Sequence, residues 1–432
     1  MLALQFIREN PDRVRGDARN KGEDPAIVDR VLEVDIEARQ RLQERERLAA
    51  EQNLLGKRVG PAIGAARAAG KSTDDLPELK QLEALKADLR TADEALKALE
   101  DQLSDLLSRV PNVFDESVPV APGEAGNVEV RQWGVKPEFG FTPRPHYEVG
   151  EALGVMDFER ASKVSGSRFA FLTGGGARLE RALVQYMLDT HTIRHGFTEV
   201  QPPFLVNSAA MYGTANLPKF GDDAFRIADR DLWLVPTAEV PLTNMYAGEI
   251  LDGGVLPIRH VAFSPCFRSE AGAAGKDTRG YIRLHQFNKV EMVSFTRPQD
   301  SMAELERITA AAETILQELG LHYRVLLMCS GDMGFAQYKK FDLEAWAPGL
   351  GRYLEVSSCS VFRDFQARRA NIRFRPEPSS KPEFVHTLNG SGLALVRTVS
   401  AILETYQRED GSVAVPAVLQ PYMGGATEVA RG

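Results

Sequence analysis

The chain has 432 residues, 43% of them hydrophobic and 26% charged, which suits a soluble globular protein of two or three domains with ample core. Its 52 basic and 60 acidic residues leave a net charge of −8, which excludes a non-specific nucleic-acid coat but not a local basic patch. Cys266, Cys329 and Cys359 are too few and too scattered for a disulfide framework or a zinc knuckle, so reduced thiols are expected. No run of about 18 apolar residues is present, so no membrane span is expected. Residues 1–10 lack the basic flank and long apolar stretch of a signal peptide, and a cytoplasmic location is the expectation.

Composition changes near residue 111, dividing a helical domain (1–111) from a mixed one (112–432). Residues 26–59 read as helix, and Gly56, Gly60, Pro61, Gly64 and Gly70 then weaken it and lead toward a turn. From Leu82 the apolar residues Leu85, Leu89, Ala92, Leu96, Leu99, Leu103, Leu106 and Val110 step by three and four, a heptad seam over four repeats. Two such helices joined by one turn should pair antiparallel and project as an arm. Over 56–71 the charged residues are Lys57, Arg58, Arg67 and Lys71, without an acid among them. A solvated spacer or dimerisation coiled coil fits this pattern, and so does an RNA-contacting arm with a basic tip.

Pro111 ends the helix, and Pro119, Pro122, Gly123, Gly126, Pro137 and Pro143 mark a connector. A helix is expected over 177–194, then strand-like runs at 232–235, 260–270, 282–295, 325–328 and 353–358. A helix with the stripe Leu393, Val396, Val399 and Leu403 closes the core. Long strands joined by hairpin-like connections imply an α+β fold, an antiparallel sheet flanked by helices.

The most informative stretch is Pro265-Cys266-Phe267-Arg268-Ser269-Glu270, a loop over 271–280, and the run from Tyr281 to Met292. Strand alternation puts Arg268 and Glu270 on one face, a planar cation suited to phosphate or carboxylate beside an acceptor. It likewise puts Arg283, His285, Phe287, Lys289 and Glu291 together, with Ile282, Leu284, Val290 and Met292 toward the core. A salt-bridged solvent face would show the same alternation; the aromatic among these charges suits a ligand surface equally. The loop's Gly272, Gly275, Lys276, Asp277 and Thr278 are not a phosphate-binding loop, because Asp277 interrupts Gly-Lys-Ser/Thr and a strand follows. Gly174-Gly175-Gly176 is likewise a tight strand-to-helix turn and no dinucleotide fingerprint.

Glu355-Val356-Ser357-Ser358 offers oxygen ligands for Mg²⁺. Glu355 and Ser358, three apart, share a face only across a bulge or strand end. Thr237-Ala238-Glu239 could take an ammonium or simply open a helix. Asn389-Gly390-Ser391-Gly392 is expected to open the last helix, with Ser391 as its cap and Arg397 in its second turn.

Together these segments resemble the class II aminoacyl-tRNA synthetases. Phe267-Arg268-Ser269-Glu270 with the hairpin to Glu291 is similar to motif two, and Gly390 to Arg397 to motif three. The helix before Gly196 and the run to Pro203 resemble motif one, the dimer-interface element. Thr237-Ala238-Glu239, Glu355-Val356-Ser357-Ser358 and the N-terminal arm resemble the seryl-tRNA synthetases of bacterial type. The cysteine ligand set of the zinc-dependent archaeal type is lacking.

The resemblance implies activation of L-serine by ATP to seryl-adenylate, then transfer to the 3′ end of tRNA-Ser, and of tRNA-Sec where the host has one. It implies Arg268 bridging the serine carboxylate and α-phosphate, Glu270 at the adenine amino group, and Phe287 with Arg397 sandwiching the adenine. Ser269, Arg283, Leu284, Val356 and Ser357 complete the ATP site, with Arg283 at the γ-phosphate and Glu355 with Ser358 on Mg²⁺. Thr237, Ala238, Glu239, Arg268, Glu291 and Ser391 form the serine pocket, Glu291 accepting from the substrate hydroxyl. Lys57, Arg58, Arg67 and Lys71 become tRNA contacts on the arm of a homodimer. A paralogue activating an amino acid for a non-tRNA carrier would lack the arm. A non-catalytic coiled-coil protein with a degenerate nucleotide fold would lack the set Arg268, Glu270, Glu291 and Arg397.

Overall fold

The computed structural model describes residues 1–73, 76–271 and 280–431. The chain forms two compact units: Leu2–Arg19 with Asp24–Val110, and Met1 with Asn20–Glu23 and everything from Pro111 onward.

The first unit is dominated by helices α1 (Ala26–Ala68) and α2 (Pro77–Ser108), which pack against each other. Every residue of the heptad seam on α2 is buried or half-buried, and nearly all positions between them are exposed. On α1 the buried residues Leu48, Leu55, Val59 and Ala66 recur at the same heptad rhythm. Arg45 meets Asp93 at 2.9 Å, which fixes the antiparallel register of the pair.

The turn comes later than the glycines imply. Helix α1 continues through Gly56, Gly60, Pro61 and Gly64 and ends only at Ala68, ahead of Gly70 at φ +67°. Each interior glycine costs about 1 kcal/mol and a proline about 3 in helix propensity. The buried stripe on both sides of Pro61 outweighs that, because helices in proteins are held mainly by the packing of an apolar face. Lys57 and Arg58 therefore sit about 20 Å along the helix axis from Gly70. All four basic residues are exposed, and none makes an ion pair among the described residues; Lys57 and Arg58 lie on the helix flank, Arg67 and Lys71 beside the turn.

The second unit is built on an eight-stranded sheet. Its strands are β1 (Val128–Trp133), β2 (Thr198–Glu199), β3 (Ile258–Phe267), β4 (Gln286–Thr296), β5 (Tyr323–Leu327), β6 (Lys339–Ala347), β7 (Arg352–Arg363) and β8 (His386–Ala394). They lie in the order β1-β5-β6-β7-β8-β4-β3-β2. All neighbours are antiparallel except β2 and β3, where Thr198 pairs with His260 in parallel. Helices α3 (Gly174–Ile193), α4 (Glu239–Asn244), α5 (Ser301–Glu318) and α6 (Leu395–Thr405) pack against the central strands. Val290, Met292, Val293 and Phe295 of β4 are all fully buried, so this part of the sheet is covered on both faces. Leu305, Ile308, Ala312 and Ile315 supply the matching stripe on α5. Among the described residues no helix is long and apolar enough to cross a membrane.

Candidate active site

A cleft of ≈ 330 Å³ opens where β4, β6, β7 and β8 meet the start of α6. Arg268 and Glu270 reach it from the segment after β3, Phe287 and Lys289 from β4, Glu355 and Ser358 from β7. Thr237, Glu239, Arg283, Leu284, Val356, Ser357, Ser391 and Arg397 line it as well. Of the other candidates, Ala238 is wholly buried, and Ser269 turns away to bond Asp222 O through its hydroxyl (2.7 Å). Glu291 lies fully buried beneath the floor.

Arg268 and Glu270 converge on the cleft for a different reason than strand alternation. Strand β3 ends at Phe267, and Glu270 takes a left-handed backbone at φ +53°. The amide of Arg268 still donates to His285 O at 2.9 Å, so the hairpin pairing outlasts the regular strand. The Arg268 guanidinium lies 5.2 Å from the centre of the Phe287 ring, and Arg283 meets Glu270 at 3.4 Å. Because β4 begins only at Gln286, the alternation assigned to its approach does not hold. Ile282 and Leu284, expected on the core face, are buried yet line the cleft. His285, expected on the ligand face, instead places Nδ1 3.0 Å from the Arg268 carbonyl. Gly272, Gly275, Lys276, Asp277 and Thr278 lie outside the described residues.

The β7 edge of the cleft depends on a bulge. Leu343 of β6 pairs with Ser357, but the next residue, Glu344, pairs with Glu355, leaving Val356 as the extra residue. That insertion is what lets Glu355 and Ser358 share a face. On β6, Lys340 meets Asp342 at 2.8 Å, and Asp342 Oδ1 is buried without a hydrogen-bond partner among the described residues. Carboxylate and hydroxyl oxygens in such a group suit a hard cation, which oxygen ligands hold best. Arg397 donates to the Glu355 carbonyl at 2.8 Å and its guanidinium lies 3.5 Å from the carboxylate. Burial pushes the Glu355 carboxyl up, but Arg397, Lys340, Arg268 and Lys289 together hold it below the usual range.

At the opposite end a buried polar cluster forms. Asn389 Nδ2 donates to Glu239 Oε2 and to Glu291 Oε1, both at 3.0 Å. Gln366 donates to Glu239 Oε1 at 2.7 Å, and Ser391 donates to Glu291 Oε2 at 3.2 Å. Lys289 sits 2.5 Å from Glu291 Oε2. Burial, and next the neighbouring Glu291, push the Glu239 carboxyl up to about 7 against the pull of Gln366, Lys289 and Arg268.

Residues 389–392 do not open the last helix. They belong to β8, where Gly390 pairs with Met292 and Ser391 with Glu291, and α6 starts at Leu395 with Ala394 as its N-cap. Ser391 is thus a strand residue and no cap, and Arg397 stands in the first turn. The glycines serve close packing: a Cβ on Gly390 would lie 2.1 Å from Ile308 Cγ2, and one on Gly392 2.4 Å from His191 Nε2. Thr237 precedes α4, and its hydroxyl accepts from the Glu239 amide at 3.2 Å.

Lys340, Asp342 and Gln366 complete the site without standing out in the sequence, and Asn389, expected there at a helix start, joins them from β8. Alternating charges in Lys340-Phe341-Asp342 are the one signal that a strand-by-strand reading could have used.

Residues 224–406 match the family model for the tRNA synthetase class II core domain (G, H, P, S and T), and residues 1–114 that for the seryl-tRNA synthetase N-terminal domain. The chain is 52% identical to a serine–tRNA ligase of Pelotomaculum thermopropionicum over 99% of its own length and 100% of the relative's. It superposes on the crystal structure of seryl-tRNA synthetase from Pyrococcus horikoshii complexed with ATP with a TM-score of 0.92 at 40% identity, covering 100% of both chains. The cytoplasmic serine–tRNA ligase from Naegleria fowleri in complex with AMP gives 0.86 at 32% identity, covering 100% of this chain and 99% of that one.

Proposed function

Because the chain belongs to the seryl-tRNA synthetase family and is a serine–tRNA ligase, we propose that the cleft carries both of its half-reactions. In the first, the carboxylate of L-serine attacks the α-phosphorus of ATP, forming seryl-adenylate and releasing pyrophosphate. In the second, the seryl group passes to the terminal adenosine of tRNA-Ser, and of tRNA-Sec where the host has one. Neither step asks the protein for a nucleophile; both ask for positioning and charge neutralisation.

Arg268 bridges the serine carboxylate and the α-phosphate, opposing the charge that builds at the five-coordinate phosphorus. Phe287 and Arg397 hold the adenine between a ring and a guanidinium plane, with Glu270 at its amino group. Ser269, whose amide and hydroxyl both bond the backbone of residues 222 and 223, supports the ATP site from behind. Arg283 reaches the γ-phosphate. Glu355 and Ser358 would hold Mg²⁺, which when bound neutralises phosphate charge and favours departure of pyrophosphate. Thr237 and Glu239, with Ala238 packed between them, receive the ammonium of serine, and Glu291 accepts from its hydroxyl beside Ser391.

Residues 1–111 form the tRNA-binding domain, with Lys57, Arg58, Arg67 and Lys71 against phosphates. The functional unit is a cytoplasmic homodimer joined through the motif-one segment.

One observation carries the reading of the cleft: charged, aromatic and hydroxyl groups drawn from residues 237 to 397 line a single cavity. Exchange of labelled pyrophosphate into ATP, run with a panel of amino acids, tests it. Serine alone should support rapid exchange; exchange specific for another amino acid would refute the assignment.

A further inference from the structure

Helix α3 places the buried carboxylate of Glu180 against the segment that leads into β4. Its Oε2 accepts from the Tyr281 hydroxyl at 2.6 Å, and its Oε1 accepts from Asn288 Nδ2 at 2.6 Å. Both donors are neighbours of residues that line the cleft. Asn288 follows Phe287, and Tyr281 precedes Ile282, whose carbonyl accepts from Arg397 Nε at 3.3 Å. We infer that Glu180 is a positioning residue for the adenine site, setting the Phe287 ring through Asn288 and the opposing Arg397 plane through Tyr281. The inference rests on the reading of the cleft given above, in which these two groups hold the adenine.

Two groups that hold a base between them must keep a fixed separation, and here they come from different elements, β4 and α6. Packing alone does not set that separation. Phe287 lines the cleft and also another cavity, of ≈ 290 Å³, which Glu180, Tyr281, Leu284 and Asn288 line with it. A ring bordered by open space in two places depends on the strand that carries it. A carboxylate accepting short, charge-assisted hydrogen bonds from both ends of that stretch supplies the rigidity.

Tyr281 is held by its backbone as well. Its amide donates to His146 Nε2 at 3.0 Å, so the imidazole carries its proton on Nδ1 and donates it to Glu404 Oε1, 2.7 Å away. Glu404 stands on α6, the helix that carries Arg397. The segment at 281–282 is therefore tied to α3 by a side chain and to α6 by an amide. Burial, and next Glu180, push the Tyr281 hydroxyl well above its ordinary value, so it stays a donor. Without Glu180 that buried hydroxyl would lose its acceptor, and the segment one of its two anchors.

Three variants of the full-length protein test this. Glu180→Met fills similar space without an acceptor, Glu180→Gln keeps an acceptor for Asn288 and can donate to the phenol oxygen, and Tyr281→Phe removes one bond alone. The KM for ATP in pyrophosphate exchange should rise about tenfold in Glu180→Met and return to within about threefold of the unaltered protein in Glu180→Gln. The KM for serine should stay within about threefold in both. Affinity for AMP, which carries the adenine without the β- and γ-phosphates, should fall in calorimetry by the factor that the KM for ATP rises. Tyr281→Phe should lower AMP affinity by itself and add little to Glu180→Met, because the two share one bond. Should Glu180→Met fail to fold, Tyr281→Phe, which lacks a single hydroxyl, carries the same test. The constants for ATP and serine rising together, or AMP affinity unchanged in these variants, would overturn the inference. Phe287→Ala separates it from the reading beneath it. If Phe287→Ala weakens AMP binding and the Glu180 and Tyr281 variants do not, the inference alone falls. If Phe287→Ala leaves AMP binding unchanged, the reading of the cleft falls, and the inference with it.

Discussion

The carboxamide of Asn389 donates from one nitrogen to both Glu239 and Glu291, 3.0 Å from each, so a single neutral side chain holds two buried carboxylates side by side. Its oxygen is buried without a partner among the described residues. Asn389→Asp would add a third carboxylate where a donor is needed. The KM for serine should rise by about tenfold or more, the size of a lost buried hydrogen bond plus charge repulsion. The KM for ATP should hardly move. A parallel rise in both constants would show that Asn389 only supports the fold.

On the proposed reading of the pocket, Glu239 should make serine recognition depend on pH. Its carboxyl is pushed up to about 7, first by burial and then by Glu291. An ammonium entering the pocket favours the ionised form, so below pH 7 binding must expel a proton. The KM for serine should therefore fall as pH rises through 7, and Glu239→Gln should flatten that dependence. The sign for folding is opposite: an acid whose folded pKa is raised contributes less stability as pH climbs from the ordinary carboxyl range through 7. A serine KM independent of pH between 6 and 8 in the unaltered protein would contradict this, and pyrophosphate exchange across a buffer series measures it.

Much of this is legible in the sequence, for reasons that differ from segment to segment. The seam from Leu82 to Val110 can be read residue by residue, because a heptad stripe has no other satisfactory solution than a partner helix. The end of α1 cannot, since propensity at Gly60 and Pro61 is local whereas the packing that overrides it is not. Glu355 and Ser358 require a bulge, and the bulge at Val356 is there. Asn389-Gly390-Ser391-Gly392 resembles the start of a helix because glycine and a small hydroxyl residue suit a cap. Nothing local reveals that Ile308 and His191 crowd the same glycines inside a sheet. Strand β6, with Lys340 and Asp342, and the helix over Ser301–Glu318 have no counterpart among the elements expected from the sequence.

Arg268 lies over Phe287 and has its Nε 3.4 Å from Pro236 O, so its fork is already aimed before substrate arrives. Arg268→Ala should lower serine-dependent exchange by about 10²- to 10³-fold, as removal of a pre-aimed transition-state donor does. Arg268→Lys should recover little, since an ammonium cannot bridge two oxyanions in the same plane. Full recovery with lysine would mean that only net charge matters.

Glu355→Gln and Ser358→Ala should each raise the Mg²⁺ concentration that half-saturates exchange, without changing the KM for serine. Binding of Mn²⁺ with ATP, followed by electron paramagnetic resonance, should weaken in the same order. Unaltered metal dependence in both variants would place the cation elsewhere.

Replacing Lys57, Arg58, Arg67 and Lys71 by alanine should weaken charging of tRNA-Ser and leave exchange untouched. Each phosphate left without its cation should also reduce the magnitude of the log–log salt slope of tRNA binding by about 0.7 to 0.9. Because the four spread from the helix flank to the turn beyond it, their effects should add. An unchanged slope would remove them from the tRNA surface.

The most direct measurement is a crystal structure of the protein with a non-hydrolysable seryl-adenylate analogue. Adenine should lie between Phe287 and Arg397, the linking group on Arg268, and the serine ammonium and hydroxyl toward Glu239 and Glu291. An analogue bound elsewhere, or with its seryl group turned away from the Glu239–Asn389–Glu291 cluster, would contradict the proposed chemistry of the cleft.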